Sequence, residues 1–136
     1  MAIFYVTSTG TKSSGASTAD DFSNANCYAT PAAAITAGAD ISGPHTLIIF
    51  SGTYDSYIAL SHANWANSSV IGKNVLTWSV AKKGEVVVSS STTHGISVTV
   101  AGVTIDGVST TCTGAANDGL YFTAVGLTVN YLYVLS

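Results

Sequence analysis

Seven carboxylates, three histidines and two cysteines are the side chains here that could do more than pack: Asp20, Asp21, Asp40, Asp55, Glu85, Asp106 and Asp118, with His45, His62, His94, Cys27 and Cys112. Each chemistry open to them demands a spacing. Glycoside hydrolysis needs two carboxylates facing each other across a sugar. Calcium needs several oxygen ligands in one loop, and zinc needs His or Cys at short, regular intervals. Only Asp20 and Asp21 are adjacent, and that pair suits the cap of a solvated loop better than a calcium site. The histidines share no ligand spacing. No serine sits in a nucleophile-elbow motif, and the glycines fit chain corners better than a phosphate-binding loop. The sequence therefore carries no expected catalytic residue, cofactor or metal ligand. Cys27 and Cys112 read as two buried thiols rather than a disulfide framework.

The partners are bounded in the same way. The 136 residues are 47% hydrophobic but only 8% charged, against roughly 25% in an average soluble domain, so the polar surface must come from Ser, Thr, Asn and backbone. No arginine is present, the cations are Lys12, Lys73, Lys82 and Lys83, and the net charge is −3. Phosphate backbones demand clustered positive charge, so no nucleic-acid partner is expected. Apolar runs such as residues 47–50 and 86–88 are far shorter than the roughly 20 residues of a spanning helix, so no membrane role is expected either. The opening Met1-Ala2-Ile3-Phe4-Tyr5-Val6 has neither a basic nor a long apolar stretch, and no secretory signal peptide is expected.

The elements that must position any site show themselves through a repeat in the last third. Residues 95–106, GISVTVAGVTID, lie over residues 119–130, GLYFTAVGLTVN, without a gap and at an offset of 119 − 95 = 24. Glycine falls on glycine twice, Thr99 and Thr104 fall on Thr123 and Thr128, and the apolar pairs Ile96/Leu120, Val98/Phe122, Val103/Leu127, Ile105/Val129 and Val108/Leu132 keep phase. Apolar residues alternate within each copy, the mark of a strand with one buried face. Residue-for-residue repetition favours stacked, solenoid-like turns over an antiparallel sandwich. Position 106/130, Asp then Asn, suits a ladder of hydrogen-bonding side chains.

Upstream the repeat loosens. The runs at residues 47–50, 75–78 and 103 onward are spaced by 28, which predicts longer early turns. Residues 57–60 and 85–88 read as further strands, residues 61–73 as a loop, and Ile3-Phe4-Tyr5-Val6 as an opening strand followed by a polar loop over 7–26. Thr30-Pro31 has the grammar of a helix start, an N-cap hydroxyl followed by proline at the first helical position, and Gly38 and Gly43-Pro44 limit that helix to two or three turns. Trp78 is expected in a strand, as core. Trp65, in the polar loop, is the expected aromatic contact with a partner.

The segments Phe4-Tyr5-Val6, Thr9-Gly10, Tyr28-Ala29-Thr30-Pro31-Ala32-Ala33-Ala34-Ile35 and Thr46-Leu47-Ile48-Ile49-Phe50-Ser51-Gly52-Thr53-Tyr54 resemble the N-terminal region of right-handed parallel β-helix proteins of the pectate-lyase-like superfamily. The resemblance implies an all-β solenoid of three to four turns with a short N-terminal capping helix. It implies one domain over 1–136, in which 1–46 form the opening strand, loop and cap and 47–136 the solenoid turns. It also implies polysaccharide lyases, hydrolases, epimerases, adhesins, and the tailspikes and fibres of bacteriophages. Lyases of this group often use an arginine base beside calcium-holding acids. This chain has no arginine, and Asp106 meets Asn130 in the repeat instead of a second carboxylate.

The expected function is accordingly non-enzymatic: a structural virion protein, such as a phage capsid decoration, head fibre or tailspike component, exposed on the particle. The alternatives are the N-terminal fragment of a secreted polysaccharide lyase, hydrolase or adhesin, or a non-catalytic carbohydrate-binding module. The expected partners are copies of the same chain, a trimer by analogy with phage spikes, or a larger virion assembly, with a surface polysaccharide as a further candidate. The apolar stretch at residues 131–135 calls for a neighbour, and Leu127, Val129, Leu132 and Val134, with Trp65, are the expected contact residues.

Overall fold

The computed structural model describes residues 2–11, 23–90, 94–112 and 119–135. Asp20, Asp21, Asp118, the side chain of Cys112 and most of the expected polar loop lie outside the described residues. The chain is nearly all-β. Its strands are β1 (Ile3–Val6), β2 (Cys27–Tyr28), β3 (Thr46–Phe50), β4 (Gly52–Tyr54), β5 (Ile58–Leu60), β6 (Ser69–Lys73), β7 (Val86–Ser90), β8 (Ile96–Val98), β9 (Thr104–Cys112), β10 (Leu120–Phe122) and β11 (Thr128–Val134), with one described α-helix, α1 (Pro31–Ala39).

Parallel pairing orders the strands into an eight-stranded sheet, β2-β1-β3-β6-β9-β7-β4 with β11 added on β9, and a three-stranded sheet, β10-β8-β5. The nine-residue β9 is the branch point: its first residues pair with β6, its last with β7, and its length with β11. The 24-residue repeat appears directly as register, with Ile96 opposite Leu120, Val98 opposite Phe122, Thr104 opposite Thr128 and Asp106 opposite Asn130.

The expected class, an all-β right-handed parallel β-helix of three to four turns with a capping helix, is corrected by this arrangement. The step between paired strands is not constant: Thr46 pairs with Ser69, Ser69 with Thr104 and Thr104 with Thr128, steps of 23, 35 and 24 residues. The sheet branches at β9, and an antiparallel bridge joins Lys73 to Val80. The helix lies at the end of the sheets where β2 and β5 are the terminal strands. It packs against β1, β2, β3 and β5, and its Ala34 and Ile35 belong to the main core.

Two earlier readings fail for local reasons. The spacing of 28 would place residues 75–78 in a strand, but they form a turn: the Asn74 Oδ1 accepts the amides of Leu76 (2.9 Å) and Thr77 (3.2 Å), and Trp78 has φ 59°. Asparagine competes for the backbone in this way wherever no ladder claims it first. Residues 61–73 are not one loop, because β6 occupies residues 69–73 and pairs with β3 on one side.

The core follows from side-chain alternation. Phe4, Val6, Leu47, Ile49, Val70, Val86, Val88, Ile96, Val98, Ile105 and Val108 point into one cluster. In β3 the apolar run is unbroken because both faces are covered. Leu47 and Ile49 enter the main cluster, while Ile48 and Phe50 join Tyr5 and Cys27 in a second one, sheltered by Val75 and Trp78. Cys27 is a buried free thiol.

The helix begins as its sequence demands, with the Thr30 hydroxyl accepting the Ala33 amide at 3.2 Å and Pro31 in the first turn. The helix is nine residues long, two to three turns as expected, and Gly38 lies in its last turn. A Cβ there would sit 2.5 Å from the Trp65 ring, so glycine is what lets the indole lie against the helix. The Trp65 Nε1 donates to the Ile35 carbonyl at 2.9 Å, and the ring packs on Phe4 and His45. His45 accepts the Ala2 amide at Nδ1 (3.2 Å), which leaves the proton on Nε2 to donate to the Gly38 carbonyl (2.9 Å).

Candidate interaction edge

β10 and β11 stand at the same side of the molecule, each bonded to a neighbour on one edge only among the described residues. β11 takes its shape from β9. Thr128 donates its amide to the Val103 carbonyl and Leu135 to the Thr110 carbonyl, both at 2.9 Å, so the backbone is held along its whole inner edge. Among the described residues, the outer edge leaves a row of amides and carbonyls without a strand.

The side chains of this edge sort by alternation. Leu127 and Leu132 are half-buried and pack on the main core, whereas Val129 and Val134 are exposed, at 42% and 58%. Of the nine large apolar side chains exposed among the described residues, five fall within residues 119–135: Tyr121, Val125, Val129, Tyr131 and Val134. The exposed apolar surface is thus concentrated at one end rather than scattered, the pattern that marks an interaction surface. The same stretch contains no Asp, Glu, Lys or Arg.

Trp65 does not belong to this surface. Its expected role as a partner contact is corrected: the side chain is fully buried between α1 and Phe4, because the polar loop around it folds beneath the helix.

Tyr131 and Tyr133 belong to the apolar stretch 131–135 that calls for a neighbour, though neither is among the expected contact residues. With Val80, Ala81 and Lys82 they line a shallow cleft of about 160 Å³. Tyr131 also holds φ 41°, a left-handed conformation that is costly for a bulky side chain. The signal was available, since Tyr131 falls 24 residues after Gly107, which has φ 71°. Nearby, the His94 ring stacks on Tyr121 at 4.6 Å and 8° between planes.

Several described titratable residues are held in structural roles. Glu85 accepts the Lys82 amide (2.7 Å) and the Asn74 side chain (3.2 Å), His62 accepts the Asn64 amide, and His45 is buried. Asp106 stands in register with Ile71 and Asn130, and its Oδ1 is buried with no hydrogen-bond partner among the described residues. No group of His, Cys, Asp or Glu suited to a metal ion occurs among the described residues. Burial, and more weakly the nearby Cys27, pushes the Tyr54 hydroxyl above its ordinary pKa, and it donates to the Phe50 carbonyl at 2.7 Å. A second concavity of about 250 Å³ lies between α1 and β5, lined by Ala32, Ile35, Thr36, Tyr57, Ala59 and His62 among others, with no carboxylate in its wall.

No described helix is long and apolar enough to cross a membrane. Compared with known proteins, the chain matches no family model, no curated protein and no solved structure.

Proposed function

We propose that this chain is a non-catalytic structural protein of a virus particle and that it works by assembly through the open edge of β11. The observation that carries the reading is a seven-residue strand, hydrogen-bonded along one side, that presents Val129, Tyr131 and Val134 beside backbone groups with no strand partner among the described residues. Such an edge is a template for another strand. Each backbone hydrogen bond gained there contributes about 0.5–1.5 kcal/mol net, and apolar burial adds roughly 25 cal/mol per Å². The virion setting is supported by the sequence, whose low charge and Ser/Thr/Asn-rich surface suit a component held in place by neighbours.

The test is the mass of the chain in solution by light scattering. The expected result is a particle heavier than 13.8 kDa that returns to that mass when Val129→Lys and Val134→Lys are combined. A stable particle of 13.8 kDa at every concentration, indifferent to those substitutions, would overturn the reading. Turnover of neutral or uronate polysaccharides by the purified chain would overturn its non-catalytic part.

A further inference from the structure

We propose that the partner at this edge is a second copy of the same chain, with β11 pairing antiparallel to β11 of that copy across a two-fold axis. The inference rests on the assembly reading above and narrows it to one occupant and one symmetry.

Three observations favour it. The first is charge. Residues 119–135 contain no Asp, Glu, Lys or Arg. A neutral surface gives no electrostatic selection for a charged partner and no repulsion when it faces its own image.

The second is the form of the opposite end. Head-to-tail stacking would set the seven-residue β11 and three-residue β10 of one copy against the far edges of another. Those edges are β2, of two residues, and β4, of three, while α1 packs against β5, the far strand of the smaller sheet. The lengths do not match and the helix stands in the way. A two-fold contact uses the β11 edge twice and asks nothing of the other end.

The third is Tyr131. Its left-handed backbone and 67% exposure set an aromatic ring outward in the middle of the strand, beside the cleft formed with Val80, Ala81 and Lys82. In a two-fold pair the same ring and the same cleft arrive from both sides. A single concave and convex feature can therefore serve as its own complement.

The experiment is sedimentation equilibrium on the full 136-residue chain over a wide concentration range. The expected result is a mass that rises from 13.8 kDa to a plateau of two copies. The combined Val129→Lys and Val134→Lys variant is expected to keep the wild-type circular dichroism and remain a single copy, since both side chains are exposed. The strand itself carries no charge and the two copies of Lys82 beside the cleft repel each other, so higher salt is expected to leave the dissociation constant unchanged or to lower it. A plateau at three copies, or a mass that climbs without limit, would overturn the two-fold pairing while leaving assembly through the edge intact. A plateau at two copies that survives the lysine substitutions would place the contact elsewhere and overturn both. A single copy at every concentration would also overturn both.

Discussion

Gly107 and Tyr131 occupy equivalent places in the neighbouring strands β9 and β11, between the paired residues Asp106/Asn130 and Val108/Leu132, and both have positive φ, 71° and 41°. Only one of them is glycine. At Gly107 a Cβ would meet the Val80 side chain at 2.7 Å and the Gly72 carbonyl at 2.8 Å, whereas Tyr131 projects outward.

The pair predicts an asymmetry in stability. Gly107→Ala combines a left-handed penalty of about 1–2 kcal/mol with a close contact, for an expected loss of roughly 2–4 kcal/mol. Tyr131→Gly relieves the same penalty but frees the unfolded chain, so it is expected to lie between neutral and about 1.5 kcal/mol more stable. Urea unfolding of the two variants checks both signs, and equal losses would refute the equivalence.

Trp65→Phe removes the hydrogen bond to the Ile35 carbonyl and part of a fully buried ring system. The expected cost is about 2–4 kcal/mol in thermal or urea unfolding. Association of the chain is expected to be unchanged under conditions where the variant is folded. A variant of wild-type stability that fails to assemble would restore Trp65 to the role its sequence context first implied.

That misplacement shows where sequence reading stopped. The repeat was legible to the residue, because parallel neighbours of equal spacing repeat their in/out pattern, and Ile96/Leu120 and Thr104/Thr128 pair as the alignment requires. The Thr30-Pro31 helix start was legible because capping is local. Trp65 was not, since its burial depends on a space opened by Gly38, 27 positions earlier, and on an acceptor at Ile35. Residues 75–78 have the apolar content of a strand, but the Asn74 side chain folds them into a turn. Of the edge, Leu127, Val129, Leu132 and Val134 follow from alternation and the place of Tyr131 from its alignment with Gly107, while the cleft that Tyr131 and Tyr133 form depends on the neighbouring segment at residues 80–82, which no spacing shows.

Thr110 is buried and its hydroxyl has no hydrogen-bond partner among the described residues. An unpaired buried hydroxyl costs free energy that a methyl group does not. Thr110→Val keeps the shape and is expected to be neutral to about 1 kcal/mol stabilising. A loss above about 1 kcal/mol in urea unfolding would show that the hydroxyl is bonded after all.

Tyr54 predicts the alkaline behaviour. Its folded pKa is raised, so its contribution to stability is complete below the ordinary tyrosine value of about 10 and is lost as the pH climbs beyond it. Tyr54→Phe is expected to cost about 1 kcal/mol at neutral pH through the lost bond to the Phe50 carbonyl, and to flatten the decline above pH about 10. Unfolding midpoints measured from pH 7 to 11 give the comparison. An unaltered alkaline slope in the variant would assign that loss to other groups.

The branching of β9 bears on how the chain is made. Strands β6 and β7 both pair with β9, at Ser69 opposite Thr104 and Val87 opposite Ser109, so neither can complete its pairing until residues 104–112 exist. During synthesis the first three quarters of the molecule therefore emerge as a sheet with two unfinished borders, and a single later strand closes them together. A ribosome-bound intermediate halted before residue 104 would expose Val70, Val86 and Val88, all buried in the finished protein. The interval between the synthesis of β6 and that of β9 is thus when the growing chain is most open to capture by a chaperone or by its neighbours.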